Sequence, residues 1–227
     1  HKYGVFEVGM SKTGEIKKLS QLIKPHIGVI TNIGEAHIEN FQNINGIVKA
    51  KAEIIDTIKA NGTIILNHDD KFFNYLNKKA KLRKLKVVSF GKNNKSDIFP
   101  LSVIKKKNST KIVVKVNDKK INLEIKYINI YNLLSSLAVI DELNLNLNII
   151  KDIYKNFLPT EGRGKMHIIS RYNKKFRFID ESYNANPSSV KSAINSFNAI
   201  NKEQFKKYLI LGDMLELGRK SKKYHQD

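Results

Sequence analysis

Apolar positions along the chain fall into two spacings. Residues 3–8, 27–33, 63–66 and 86–90 form short, nearly continuous apolar runs of strand length, the pattern of strands buried on both faces in a parallel sheet. Between the first three runs, Ile16–Ile23 and Ile44–Lys59 repeat apolar side chains at helical spacing, and Asp70–Ala80 follows the third in the same way. Strands alternating with helices predict a parallel sheet covered on both sides.

The texture then changes. Ser102–Ile104, Thr110–Val116 and Lys120–Ile125 read as β-strands, with Asn117–Lys120 as a hairpin-type connection, so a small antiparallel addition is expected. Ile130–Leu143 and Asn148–Phe157 return to helical periodicity, and Pro159–Gly164 clusters proline and glycine as a linker would. Beyond it, Met166–Ser170, Phe176–Asp180 and Tyr208–Leu211 read as strands, and Gly212–Gly218 as a loop. Asn186 followed by Pro187 marks a helix start, with asparagine as cap and proline in the first turn. The fold class is therefore α/β in two domains, residues 1–160 and 165–227.

Composition narrows the function. A chain of 227 residues has ample length to bury a core. The lack of cysteine rules out a disulfide framework and suits a reducing compartment. No apolar run of about 18 residues is present, so no membrane span is expected, and the first residues lead into a strand without the pattern of a signal peptide. The formal charge of +20 would suit a polyanion partner. Yet the lysines are dispersed among abundant asparagine and isoleucine, as in AT-rich genomes, and no aromatic residues interleave with them as a stacking platform requires. No nucleic-acid partner is expected, although the field suits anionic nucleotides.

Candidate chemistry centres on Lys51. It occupies the next position on the apolar stripe formed by Val48, Ile55 and Ile58. A buried lysine loses hydration, its pKa falls, and a neutral amine can take up carbon dioxide as a carbamate, which is a metal ligand. The alternative is a packed stem with the ammonium reaching water. His37 lies fourteen residues earlier, after the 27–33 strand, where open α/β sheets hold ligands. Glu7 sits inside the first apolar run, where a carboxylate is costly unless paired or metal-bound. The three side chains are candidates for one crevice, with His37 as a loop or cap residue the competing reading.

Several ordered motifs point to a family. FEVGMSKTGEI, ITNIGEAHIENF, GIVKAKAEI and ILNHDD resemble the central ATPase domain of the Mur ligases, and GRGK, FIDESYNANPSSVKSAI and LILGDMLELG resemble a branch of that family. The likeness runs from Phe6 to about His225 and is weakest between residues 71 and 125. It implies a central ATP-binding domain followed by an incomplete Rossmann-like domain. The activity implied is ATP-dependent amide ligation through an acyl phosphate, joining D-alanyl-D-alanine to UDP-N-acetylmuramoyl-tripeptide, in a cytoplasmic monomer that uses magnesium.

The same resemblance makes Glu7, His37 and Lys51 catalytic metal ligands, with Lys51 carbamylated. Asn132, in the segment Tyr127–Leu134, falls to adenine, Arg163 to the ATP phosphates and Glu181 to the ribose; many relatives have aspartate at this last position. Asn184, Asn186 and Asp213 fall in the domain that supplies the amino substrate. Asn186 is also a structural residue and Asp213 a helix cap on the bland reading, while Asn67, Asp69 and Asp70 read first as turn chemistry. The family's phosphate loop ending in Gly-Lys-Thr or Gly-Lys-Ser does not occur in these residues, so an internal fragment, inactive alone, is expected. Folylpolyglutamate synthetase and the ligase adding the third stem-peptide residue are alternatives, but those relatives have a histidine-containing motif where Asp180–Pro187 stands here.

Dispersed charge makes a direct prediction. Titrated with random-sequence duplex DNA at physiological salt, the protein should bind no tighter than about 10⁻⁴ to 10⁻⁶ M, with a steep salt dependence and no sequence selectivity.

Overall fold

The computed structural model describes residues 1–41, 43–106, 109–126, 129–200 and 206–226, except for the side chains of 155, 156 and 220. The chain divides into two compact units, His1–Ile33 with Asn45–Phe157, and Gly34–Ile44 with Leu158–Asp227.

The first unit is built on one six-stranded sheet in sequence order. Helix α1 (Glu15–Ile23) precedes strand β1 (Ile27–Ile30); α2 (Ile44–Lys51) and α3 (Glu53–Thr57) lead to β2 (Thr63–Asn67), and α4 (Phe73–Leu82) to β3 (Lys86–Phe90). These strands pair in parallel, with Ile27 opposite Thr63 and Thr63 opposite Lys86. β4 (Ile98–Lys105), β5 (Thr110–Val116) and β6 (Lys119–Ile125) extend the same sheet; β4 joins β3 in parallel through Phe90 and Ile98, and the remaining pairs are antiparallel. Helices α5 (Ile130–Glu142) and α6 (Ile149–Asn156) complete the unit.

Every residue of β2 is buried, because helices cover both sides. Ile65 faces a core with Phe90, Val114, Leu133 and Leu137, whereas Ile64 and Leu66 face Ile55, Leu76 and Ala80. Alternation along one strand thus feeds two cores. Polar ties fix α5 against the sheet: Glu142 accepts from the Thr63 hydroxyl at 2.7 Å and pairs with Lys86 at 2.7 Å, and Asp141 holds Lys119 at 2.8 Å.

Four local expectations change. Residues 3–8 form no strand, and Val5 and Phe6 are exposed; apolar composition makes a strand only when the backbone finds a ladder partner, and β1 ends the described sheet without pairing to this segment. Residues 208–211 likewise form no strand, and all four side chains are exposed. The helix expected over Ile44–Lys59 breaks at Ala52 into α2 and α3. The second piece is drawn onto α1, where Glu53 accepts the amides of Gly14 and Lys17 at 2.7 and 3.0 Å and Thr57 bonds Ser20 at 2.8 Å. Strand β4 starts at Ile98 and passes through Pro100, where a register irregularity absorbs the missing N–H.

In the second unit, β7 (Lys165–Arg171) and β8 (Lys174–Asp180) form a two-stranded antiparallel sheet. Their connection, Tyr172–Asn173, has φ of 50° and 56°, the left-handed pair that suits the twist of a tight hairpin. Helix α7 (Pro187–Asn198) opens on Asn186, whose side chain accepts from the Ser189 amide at 2.9 Å in a reciprocal capping box, as the Asn-Pro pair predicts. A short helix α8 (Ser221–Gln226) follows. The segment 34–44 belongs here through the Glu39 amide, which donates to the Glu216 carbonyl at 3.2 Å.

Gly62 sets the entry to β2. A Cβ there would lie 2.5 Å from Ile58 Cγ2, 2.6 Å from the His26 carbonyl oxygen and 2.9 Å from that of Lys59. Backbone atoms cannot turn aside as a side chain would, so Gly62→Ala should destabilise the fold by about 1–3 kcal/mol, read as a lower urea midpoint at unchanged slope.

Candidate active site

The carboxyl ends of β1, β2 and β3 meet a network of side-chain-to-backbone bonds. Asn67, buried at the end of β2, donates from Nδ2 to the Thr31 carbonyl at 3.1 Å and accepts the Asp69 amide at 3.0 Å. Asp70 accepts the Ile33 amide at 2.7 Å with one oxygen and the Phe72 amide at 2.9 Å with the other. Asp69 accepts the Lys92 amide at 2.6 Å and the Tyr131 hydroxyl at 3.2 Å. These three residues do form a turn, and they also clamp the chain that leaves β1 and β3. The β1 side of that clamp depends on tertiary pairing, which turn chemistry in the sequence does not signal.

Lys51 ends α2 beside this clamp. Its Nζ donates to the Asn32 carbonyl at 2.9 Å. Burial pushes the ammonium's pKa below the usual lysine range, and the negative charge of Asp70 pulls partway back. The amine is thus half-buried, held by a neutral acceptor and more easily deprotonated than a surface lysine.

At the same edge α5 begins. The Asn129 side chain accepts the amides of Tyr131 and Asn132 at 3.1 and 3.3 Å, a helix cap, and leaves the exposed Asn132 side chain on the first turn. Lys92 Nζ lies 4.7 Å from the centre of the Tyr131 ring, and burial raises the pKa of the Tyr131 hydroxyl, assisted by Asp69. Tyr127 and Ile128, the start of the motif read here, lie outside the described residues. Glu7 departs from its expected setting: it is exposed on a segment without strand pairing. The buried-carboxylate argument therefore does not apply to it, because water solvates its charge.

His37 belongs to the second unit, whereas Glu7 and Lys51 belong to the first. It precedes a 3-10 turn (Ile38–Asn40) with φ 59° and makes no side-chain cap, so the simple capping role is not what the structure has. Its Nδ1 pairs with the Glu216 carboxylate. That contact is a charge pairing and not a hydrogen bond, and it places a carboxylate against one ring nitrogen while Nε2 is the other. Glu216 lies in the 212–218 loop, and a carboxylate that meets a residue so distant in the chain has no local signature in the sequence.

Arg163 stands on a turn between Gly162 and Gly164, at φ 72° and 83°. A Cβ on Gly162 would lie 2.8 Å from Tyr183, and one on Gly164 3.0 Å from the Glu181 carboxylate. The Gly164 amide donates to the Asp180 carbonyl at 2.7 Å and the Gly162 amide to the Asp180 carboxylate at 3.2 Å. Glycines let the turn lie flat on the end of β8, and Arg163, exposed, stacks its guanidinium 4.3 Å from the centre of the Tyr183 ring. Arg163 and Glu181 are thereby brought to one place.

The adjacent carboxyls are driven apart. Hydrogen bonds from Ser182 and the Gly162 amide hold Asp180 below the usual carboxylate range. Burial, then the charge of Asp180, pushes Glu181 up. Glu161, His167 and Asp180 also gather within 4.8 Å, but Glu161 pairs with Lys165 and both Asp180 oxygens accept amides, so these acceptors have partners.

Of the residues expected at the amino substrate, Asn184 is exposed, and Asn186 commits its side-chain oxygen to the α7 cap, leaving Nδ2. Asp213 is exposed at an open hollow of about 420 Å³ lined by Met214, Ser221, Lys222 and His225. His225 Nε2 accepts the Met214 amide at 2.9 Å, and its Nδ1 lies 2.8 Å from the Ser221 carbonyl. That pattern assigns the neutral Nδ1–H tautomer, so Asp213, 3.8 Å away, is not consumed by an ion pair.

This sheet with its ligand edge has counterparts of known kind. A family model described as the Mur ligase middle domain matches residues 1–140, and the chain belongs to the Mur ligase family. A UDP-N-acetylmuramoyl-tripeptide–D-alanyl-D-alanine ligase of Buchnera aphidicola is 35% identical over 229 residues, covering 100% of this chain and 49% of that protein. A crystal structure of MurF from Acinetobacter baumannii superposes with a TM-score of 0.87 at 28% identity, over 100% of this chain and 48% of that one. A MurF ligase from Thermotoga maritima in complex with ADP gives 0.81 at 25%, over 97% and 49%. The chain spans about half the length of the curated relatives it matches. Among the described residues no helix is long and apolar enough to cross a membrane.

Glu181 yields a signed pH effect. Its raised pKa means that folding disfavours the charged form, so stability is full below the unfolded carboxyl value of about 4.3 and falls as pH rises through the folded value. Glu181→Gln should therefore match the parent near pH 4 and be more stable at pH 7, by no more than about 0.5 kcal/mol at so exposed a site, measured by thermal melts at both pH values.

Proposed function

We propose that the protein carrying this chain is an ATP-dependent amide ligase that adds D-alanyl-D-alanine to UDP-N-acetylmuramoyl-tripeptide in peptidoglycan precursor synthesis. The observation that carries the reading is the half-buried Lys51 amine, held at the carboxyl edge of a Mur ligase sheet. Residues 1–160 act as the central ATP-binding domain and 165–227 as the start of the C-terminal domain. The enzyme works in the cytoplasm as a monomer.

Burial loosens a first proton from the Lys51 ammonium, and the neutral amine adds to carbon dioxide: an N–C bond forms as one C=O π bond opens onto oxygen, a second proton leaves the nitrogen to water, and with two protons lost the cation has become an anion. The surroundings suit a hard cation, since the chain has no thiol and this edge is rich in carbonyl and carboxylate oxygen. Magnesium, when bound, offsets the charge of the phosphates during transfer to the substrate carboxylate. By the family resemblance, Lys51 as carbamate, His37 through Nε2 and Glu7 would be the residues to hold it. Asn132 presents an amide that both donates to and accepts from an adenine edge. Arg163 offers a fixed planar charge to phosphate, already oriented by Tyr183. Glu181 serves the ribose hydroxyls, and Asn184, Asn186 and Asp213 the incoming dipeptide.

In the full-length protein, Lys51→Ala should lower turnover by at least about 10³-fold, roughly 4 kcal/mol of barrier, with the fold retained. Short carboxylates should restore part of it, and Lys51→Arg should stay inactive because guanidinium keeps its proton. Near-normal ligation by either variant without additives would remove the carbamate. Activity on glutamate and a folate, in place of the dipeptide and the UDP-linked tripeptide, would reassign the substrate.

A further inference from the structure

The peptide unit between Asn32 and Ile33 is engaged at both ends. Its carbonyl accepts the Lys51 amine at 2.9 Å, and its N–H donates to Asp70 at 2.7 Å. The preceding carbonyl, that of Thr31, is held by Asn67 at 3.1 Å. We propose that Asp70 is a positioning residue for Lys51, acting through the Asn32–Ile33 peptide, with Asn67 fixing the approach of the chain. This rests on the catalytic reading of Lys51 given above.

The physical argument is geometric. A peptide is planar, so fixing its N–H fixes the direction of its carbonyl. Residues 31–33 lie beyond the end of β1, outside the described ladder, and their orientation therefore depends on Asn67 and Asp70. Asp70 is itself fixed, because its other oxygen accepts the Phe72 amide at 2.9 Å at the entry to α4. Rigidity thus passes from α4 to Asp70, to the peptide and to the amine. A carbamate nitrogen keeps one N–H, so the same carbonyl then governs which way the new carboxylate projects. Asparagine at position 70 has a single side-chain oxygen and satisfies one of the two amides; alanine satisfies neither.

The test labels the full-length protein with acetic anhydride at fixed pH and reads Lys51 against Lys49 by peptide mass spectrometry. Lys49, exposed on the same helix, controls for reagent and pH, and amide exchange at the buried Val48 and Ala50 of that helix reports general loosening, which must stay unchanged for the ratio to be read. The ratio of Lys51 to Lys49 labelling should rise about fivefold in Asp70→Ala, the scale of one lost hydrogen bond, and less in Asp70→Asn. Amide exchange at Ile33 should quicken in the same order. An unchanged ratio in Asp70→Ala with a quickened Ile33 amide would overturn the proposal; should Asp70→Ala not fold, an unchanged ratio in Asp70→Asn with a quickened amide has the same force. Labelling needs no turnover: if Lys51→Ala ligates normally while the ratio still responds to Asp70, the carbamate reading fails and the positioning stands.

Discussion

Burial of β2 on both faces is the constraint on which the first unit depends. Ile65 turns toward α5 and the antiparallel strands, while Ile64 and Leu66 turn toward α3 and α4. Each fully buried side chain of this size contributes about 1.5–3 kcal/mol relative to exposure. One five-residue strand therefore supports two cores, and its direction decides which end of the sheet can carry chemistry. Parallel neighbours on either side send their carboxyl ends to the same edge, where chain segments leave the ladder and their backbone groups need other partners.

Asn67, Asp69 and Asp70 supply those partners. Three polar residues at the end of a wholly buried strand bind five backbone groups on the segments after β1, β2 and β3, and Asp69 also receives the Tyr131 hydroxyl of α5. The edge is thus a stiff polar rim on an apolar base. Lys51 enters that rim from α2 with an amine whose hydration is reduced by the surrounding core. Burial makes deprotonation of this amine easier, and the Asn32 carbonyl keeps it in place.

The second unit solves a different problem, the close approach of a turn to a strand end. Gly162 and Gly164 permit contacts that a Cβ would forbid, which places Arg163 beside Tyr183 and Glu181 beside the turn. Asp180 serves as the internal anchor and stays ionised through its hydrogen bonds, while its neighbour Glu181 is left partly desolvated. Two adjacent carboxyls therefore shift in opposite directions, set by which of them receives N–H donors.

Much of the fold was legible in the sequence because local pattern and tertiary need coincide there. β2 and β3 read as continuous apolar runs, the β5–β6 hairpin as alternation around Asn117–Asp118, and α7 as an Asn-Pro start. Lys51 was singled out by its place on an apolar stripe, and the motifs around His37, Arg163 and Glu181 carried the family. What failed locally was what needs a partner. Residues 3–8 and 208–211 have strand composition but no ladder, and with the first of these the buried setting of Glu7 is lost. The break at Ala52 follows from the pull of α1 on Glu53 and Thr57, side chains more than thirty residues away. The grouping of residues 34–44 with the second unit rests on contacts to a loop near residue 216, which no local pattern signals. Periodicity and motif determine which residues prefer a strand, a helix or a cap. Only tertiary structure decides which carbonyl meets Lys51, which carboxylate faces His37 and which amides hold Asp180, because such contacts are chosen by distance in space and not by distance along the chain.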